Sequence, residues 1–191
     1  METKAAIAAR RSIRRFSSQP VARDVLAELL EDATKAPSGA NLQPWRFVVA
    51  TGELKQTVVR EMEAQAPRVA QLGMRAEGFK VSVRALEEAP VVVLVFNAGI
   101  QPGPDGGSPV HEYQRSIDAQ SIGAAIENLL LRACDVGLGS VWLGWVAIAQ
   151  EEIARAAGRS DELVAAVALG HPAESPGPRP RKKLDEVVAW R

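Results

Sequence analysis

Apolar and polar residues alternate along this 191-residue chain in runs that mark out short helices and strands. Val21, Val25, Leu26, Leu29, Leu30 and Ala33 form one stripe at helical spacing after Ser17-Ser18-Gln19-Pro20, and Pro37 and Gly39 end it. Ahead of it, residues 3–11 read as a short alanine-rich helix running into an arginine cluster. Arg46 to Thr51, RFVVAT, predicts a strand, and Glu53 to Ala64 a helix with Leu54, Val58 and Met62 four apart. The pattern over residues 66–89 is weaker, with Val81, Ala85 and Leu86 predicting a further amphipathic helix.

Val91 to Phe96, VVVLVF, is continuously apolar between Pro90 and Asn97-Ala98-Gly99, as expected of a strand covered on both faces. Residues 99–109, GIQPGPDGGSP, predict a loop. The longest helix is expected from about His111 to Asp135. Its Ile117, Ile122, Ala125, Ile126, Leu129, Leu130 and Ala133 spread over more than one face, which calls for burial in a core or an oligomer interface. Ser140 to Trp145 and Leu163 to Leu169 predict two more strands, with a helix at Glu151 to Ala157 between them. From His171 the chain is proline-rich and expected to be extended, ending in a basic cluster and the amphipathic VVAW. The resulting expectation is one α+β domain over residues 1–191, a small mixed β-sheet flanked by helices, with an extended tail from about residue 171.

Composition narrows the chemistry. Apolar residues are 47% and charged residues 24%, and the 23 basic side chains balance the 23 acidic ones. No global field therefore favours nucleic acid or an anionic membrane, and any basic patch is local. A single cysteine, Cys134, excludes an internal disulfide, and with His111 and His171 it makes no metal-ligand spacing. The opening METKAAIAARRSIRRF has no apolar run of signal-peptide or membrane-span length, so a cytoplasmic location is expected.

Several motifs fail on inspection. Trp142 occupies the third glycine position of a GxGxxG reading of Gly137 and Gly139, and the segment enters a strand where a dinucleotide fingerprint needs a helix. Gly144 is followed by Trp145, which rules out a phosphate loop; GxSxG is missing, and His111-Glu112 lacks the second histidine of HExxH. Cys134 reads as a packed thiol and His171 as a turn residue.

Three segments remain. Arg10-Arg11-Ser12-Ile13-Arg14-Arg15-Phe16 concentrates guanidinium groups around a hydroxyl, which suits a dianionic phosphate; a solvated helix end or a nucleic-acid patch is the alternative. Ala36-Pro37-Ser38-Gly39-Ala40-Asn41-Leu42-Gln43-Pro44-Trp45-Arg46-Phe47 turns through small and amide residues, allowing a flat ligand to approach the backbone. Gly137-Leu138-Gly139-Ser140-Val141-Trp142-Leu143-Gly144-Trp145 could lay the main chain at residue 144 against a ring system.

Together, R-R-S-x-R-x-F, A-P-S-x-x-N-x-Q-P-W-x-F and G-L-G-S-x-W-x-G, in that order and closed by Arg179-Pro180-Arg181-Lys182-Lys183-Leu184-Asp185-Glu186-Val187-Val188, resemble the nitroreductase family from residue 10 to residue 188. The resemblance implies an FMN-binding α+β fold, an intertwined homodimer, and a flavin held by both subunits. It implies Arg10 and Ser12 at the phosphate, helped by Arg179 and Arg181, with Arg11 also among the cofactor-binding residues, and Arg14 along the ribityl chain toward the pyrimidine edge. Pro37, Ser38, Gly39 and Asn41 would come from the partner subunit. Trp142, Leu143 and Gly144 would lie at the cofactor, with the Leu143 and Gly144 backbone N–H groups near flavin N5. NADH or NADPH would be the electron donor and a nitroaromatic, quinone or similar small molecule the acceptor, in a ping-pong sequence with no catalytic side chain and no metal. A specialised relative that dehalogenates, desaturates or fragments its substrate is the alternative within the family. A non-catalytic protein with basic nucleic-acid-binding termini is the alternative outside it, disfavoured by the balanced charge. Residues 66–89 match none of the family's motifs and are expected over the pocket.

Overall fold

Strand and helix positions follow from where the apolar residues can be buried. A computed structural model describes residues 1–99 and 108–191. In chain order its helices are α1 (Thr3–Ala9), α2 (Arg23–Thr34), α3 (Gly52–Ala64), α4 (Ala66–Gln71), α5 (Ala76–Glu88), α6 (Pro109–Asp135) and α7 (Gln150–Ala156). The strands are β1 (Trp45–Ala50), β2 (Val91–Asn97), β3 (Gly139–Leu143) and β4 (Glu162–Gly170), in the order β1-β2-β4-β3.

The uninterrupted VVVLVF run becomes the inner strand β2, every residue of which is buried. Side chains alternate across a sheet, so β2 feeds two cores. Val92, Leu94 and Phe96 pack with Val58, Met62, Leu86 and Ile153 from α3, α5 and α7. Val91, Val93 and Val95 pack with Leu29 of α2 and with Ile122, Ile126 and Leu129 of α6 on the opposite face. The apolar positions of α6 from Ile122 to Ala133 are thus absorbed within the chain, answering their demand for burial with a core.

Two expectations are revised. The sheet, expected to be mixed, is antiparallel in each pairing of its named strands; its parallel element is the isolated Ser12–Ser140 bridge. The strand expected to reach Trp145 stops at Leu143, and Trp145–Ala149 form a 3₁₀ turn. Trp145 is drawn out of the sheet to pack edge-on against Phe79, ring centroids 5.6 Å apart. Most of the loop expected at residues 99–109 lies outside the described residues. Pro109 is already helical, and Ser108 and His111 cap α6 reciprocally.

The segment after α1 is laid against the sheet rather than left in solvent. The Ile13 N–H donates to the Ser140 carbonyl at 3.0 Å, and Phe16 bridges to Pro172 just beyond β4. Ile13 and Phe16 are buried, which anchors the arginines between and beside them at the open side of β3.

Candidate functional site

The two buried residues of RRSIRRF sort its arginines. Arg15 is drawn off to Glu88, 2.9 Å from its Nε, and that carboxylate also takes Arg84 at 2.8 Å. Partial burial pushes the Glu88 carboxyl upward, but hydrogen bonds from Arg84, Arg15 and the Phe16 N–H outweigh it, leaving it below the usual glutamate value. Arg10, Arg11 and Arg14, with Ser12, instead line a cleft of about 360 Å³, completed by Arg179 and Arg181 of the tail.

Charge in this cleft is largely uncompensated. Arg10 has Glu127 at 3.4 Å. Among the described residues, Arg11, Arg14, Arg179 and Arg181 have no acidic partner. Arg11 donates to the Ala8 and Arg10 carbonyls at 2.7 and 2.8 Å, and Arg14 to the Ser12 carbonyl at 3.2 Å. Arg181 donates to the carbonyls of Arg179 and Pro180, each at 3.2 Å. Guanidinium groups gathered with so few carboxylates form an anion site, and their planar forks match phosphate oxygens.

A second cleft of about 410 Å³ shares Arg14 and Arg179 with the first. Trp142, Leu143, Gly144 and Trp145 line one side of it, and Glu77, Gly78, Val81 and Ser82 of α5 another. Trp142 leaves 41% of its surface open. Gly144 has an ordinary backbone conformation, φ −81° and ψ −16°, and a Cβ there would meet nothing within 4 Å. Neither local geometry nor internal packing demands a glycine at 144. The donor set of the first cleft and this open main chain in the second fit a ligand with a phosphate at one end and a flat ring at the other.

Within one chain, Pro37, Ser38, Gly39 and Asn41 are not brought to these clefts and line neither of them. They sit by α6, where the Gly39 N–H donates to Ser121 Oγ at 3.3 Å and Ser38 Oγ accepts from the Gln43 N–H at 3.0 Å. Ala40, Asn41 and Gln43 all have positive φ, at 49°, 56° and 49°. Such conformations cost on the order of 1–3 kcal/mol each in non-glycine residues and tend to mark functional turns. Leu42 at the tip is exposed.

The α5 residues of the second cleft are the part that motif reading left unassigned. The sequence places residues 66–89 over the pocket without singling out these side chains, and the one local signal is Gly78, a glycine inside an amphipathic helix. Among the described residues no helix is long and apolar enough to cross a membrane. Cys134 is half-buried on α6.

Known proteins resemble this chain in sequence and in fold. The sequence profile of the nitroreductase family matches residues 7–171. A protein named NADH dehydrogenase from Thermus thermophilus is 31% identical, covering 100% of this chain and 97% of its own. A 5,6-dimethylbenzimidazole synthase from Rhodospirillum rubrum is 32% identical, covering 78% of this chain and 70% of its own. The crystal structure of an FMN- and NADPH-dependent nitroreductase from Sphigopyxis sp. strain HMH superposes with a TM-score of 0.81 at 26% identity, covering 100% of this chain and 99% of that one. With motifs, fold and profile in agreement over most of its length, the chain belongs to the nitroreductase family.

Proposed function

We propose that the protein is an FMN-dependent NAD(P)H oxidoreductase that reduces a nitroaromatic, quinone or similar small acceptor. The observation that carries this reading is the pair of contiguous clefts joined at Arg14 and Arg179, one lined by five guanidinium groups of which, among the described residues, Arg10 alone has an acidic partner, and the other by tryptophan and bare main chain.

In this reading Arg10, Arg11, Ser12, Arg179 and Arg181 hold the phosphate of FMN. Arg14 carries positive charge from the phosphate end toward the ring end, where it favours the reduced, anionic cofactor. Trp142 and Leu143 flank the ring, and Gly144 leaves its backbone N–H approachable. Bound FMN would supply hydride acceptance at N5 from NADH or NADPH and transfer of those electrons to the acceptor. The side chains bind, orient and tune; none is assigned as an acid or base.

A homodimer completes the site. Pro37, Ser38, Gly39 and Asn41 reach the flavin from a second copy, which accounts for a strained, exposed turn that serves neither cleft of its own chain. The tail exposes Leu184, Val187 and Trp190, apolar surface that a second copy would cover. A cytoplasmic location accompanies the use of NADH or NADPH.

The test is direct. The purified protein is expected to be yellow, to contain FMN, and to bleach anaerobically on adding NADH or NADPH. A colourless protein that takes up no FMN overturns the proposal. The likeness to a 5,6-dimethylbenzimidazole synthase supports a second reading, a specialised flavin enzyme; a yellow protein that both nicotinamides fail to bleach would favour it.

A further inference from the structure

We infer that Glu174 is a positioning residue for the phosphate site, the latch that sets the arginines of the tail against those of the N-terminal segment. The inference rests on the proposed FMN reading and extends it to a residue with no guanidinium of its own to offer.

The tail leaves β4 at Gly170 and is tied to the N-terminal segment step by step. The Ser17 N–H donates to the His171 carbonyl at 2.9 Å, and the Ala173 N–H to the Arg15 carbonyl at 2.9 Å. Glu174 then places one carboxylate oxygen, Oε1, on two consecutive backbone N–H groups, 2.5 Å from Arg14 N and 3.2 Å from Arg15 N. Among the described residues, no hydrogen bond or ion pair ties the chain beyond Glu174 back to the body; those recorded run within the tail, such as Arg181 to Arg179. Arg179 nevertheless meets Arg14 in both clefts.

Ser175-Pro176-Gly177-Pro178 spans the interval between latch and arginine. Proline fixes φ near −65° at Pro176 and Pro178, so even with Gly177 between them this short stretch has few conformations over which a direction set at Glu174 can be lost. Among the described residues Glu174 also makes no ion pair with a guanidinium group, although it borders a small cavity beside Arg10 and Arg11. Its carboxylate is spent on main-chain donors, which directs the tail while leaving the guanidinium forks free to donate to an anion. Hydrogen bonds with a charged acceptor are among the stronger ones, which suits a single-residue latch.

Phosphate specificity separates this role from general stability. Riboflavin carries the same ring and ribityl chain as FMN but no phosphate. With full-length protein stripped of flavin, Glu174→Ala is expected to weaken FMN binding by about tenfold or more while riboflavin binding stays within about twofold. Glu174→Gln, whose amide oxygen can accept the same two N–H groups, is expected to restore most of the loss. In an Arg179→Ala/Arg181→Ala background, Glu174→Ala is expected to add less than about twofold, because its effect passes through those arginines. Should Glu174→Ala fail to fold, Glu174→Asp, one methylene too short to keep both contacts, carries the same expectation.

Equal losses for FMN and riboflavin, an unchanged FMN affinity, or full additivity with the arginine substitutions would overturn the inference while leaving the FMN reading intact. Wild-type protein that binds neither flavin would overturn both.

Discussion

Two glycines of one motif, Gly139 and Gly144, are expected to respond in opposite ways to the same added methyl group. At Gly139 a Cβ would stand 2.8 Å from Ile13 Cγ2, 3.0 Å from its Cβ and 3.1 Å from its Cγ1. Ile13 cannot retreat freely, because it is buried and its N–H is bound to the Ser140 carbonyl at 3.0 Å. Overpacking of this kind costs about 1–3 kcal/mol, and the reduced entropy of the unfolded chain returns about 0.4–1 kcal/mol. Gly139→Ala should therefore lose about 1–2 kcal/mol of stability. At Gly144 the backbone already suits alanine and nothing lies within 4 Å, so flavin-free Gly144→Ala should gain about 0.4–1 kcal/mol. The same methyl would project where the ring must approach, and FMN affinity should fall by roughly tenfold. Urea unfolding of flavin-free protein at one fixed concentration measures the first quantity, and FMN titration of the same samples the second. A Gly144→Ala variant that is destabilised without flavin, or that binds FMN as tightly as wild type, would refute the claim that this glycine is kept for a ligand. A Gly139→Ala variant with unaltered stability would refute the tight packing of Ile13 on the sheet.

Arg10→Ala removes one phosphate donor and should weaken FMN binding by about 1.5–3 kcal/mol, measured by titration; unchanged affinity would remove Arg10 from the site. Ser38→Trp should sharply reduce flavin content through the second subunit's pocket while each chain still folds; normal content would contradict a site shared between copies. Glu88 is held below its ordinary value of 4.5, so the unfolded chain binds its proton more readily than the folded one. Its contribution is then complete above about pH 4.5 and is lost as pH falls through the depressed folded value. Glu88→Gln should lower stability at neutral pH, by about 1 kcal/mol given that 23% of its side chain is exposed, and should soften the acid limb of a stability–pH profile. An unaltered profile would show that the Arg15 and Arg84 contacts contribute nothing.

Local pattern was enough wherever a segment had one physical way to be satisfied. A continuous apolar run such as VVVLVF can only be an inner strand or a buried helix segment, and its shortness and branched residues select the strand. The α2 stripe and the length of α6 follow equally from periodicity, and the arginine motif, the glycine motif and the basic closing segment each place residues on the clefts, whereas the alanine-proline-serine motif places none there within its own chain. Pairings between distant segments were not written locally. Arg15 looks like Arg10, Arg11 and Arg14 until Glu88, distant in sequence, claims it, and Glu174 looks like an ordinary tail glutamate until Arg14 and Arg15 turn their N–H groups toward it. Likewise the α5 wall of the second cleft, and the distance of the Pro37–Asn41 turn from both clefts of its own chain, depend on how helices stack across a sheet. Periodicity records which face of each element must leave water. Which distant group meets that face is set only when the elements pack together.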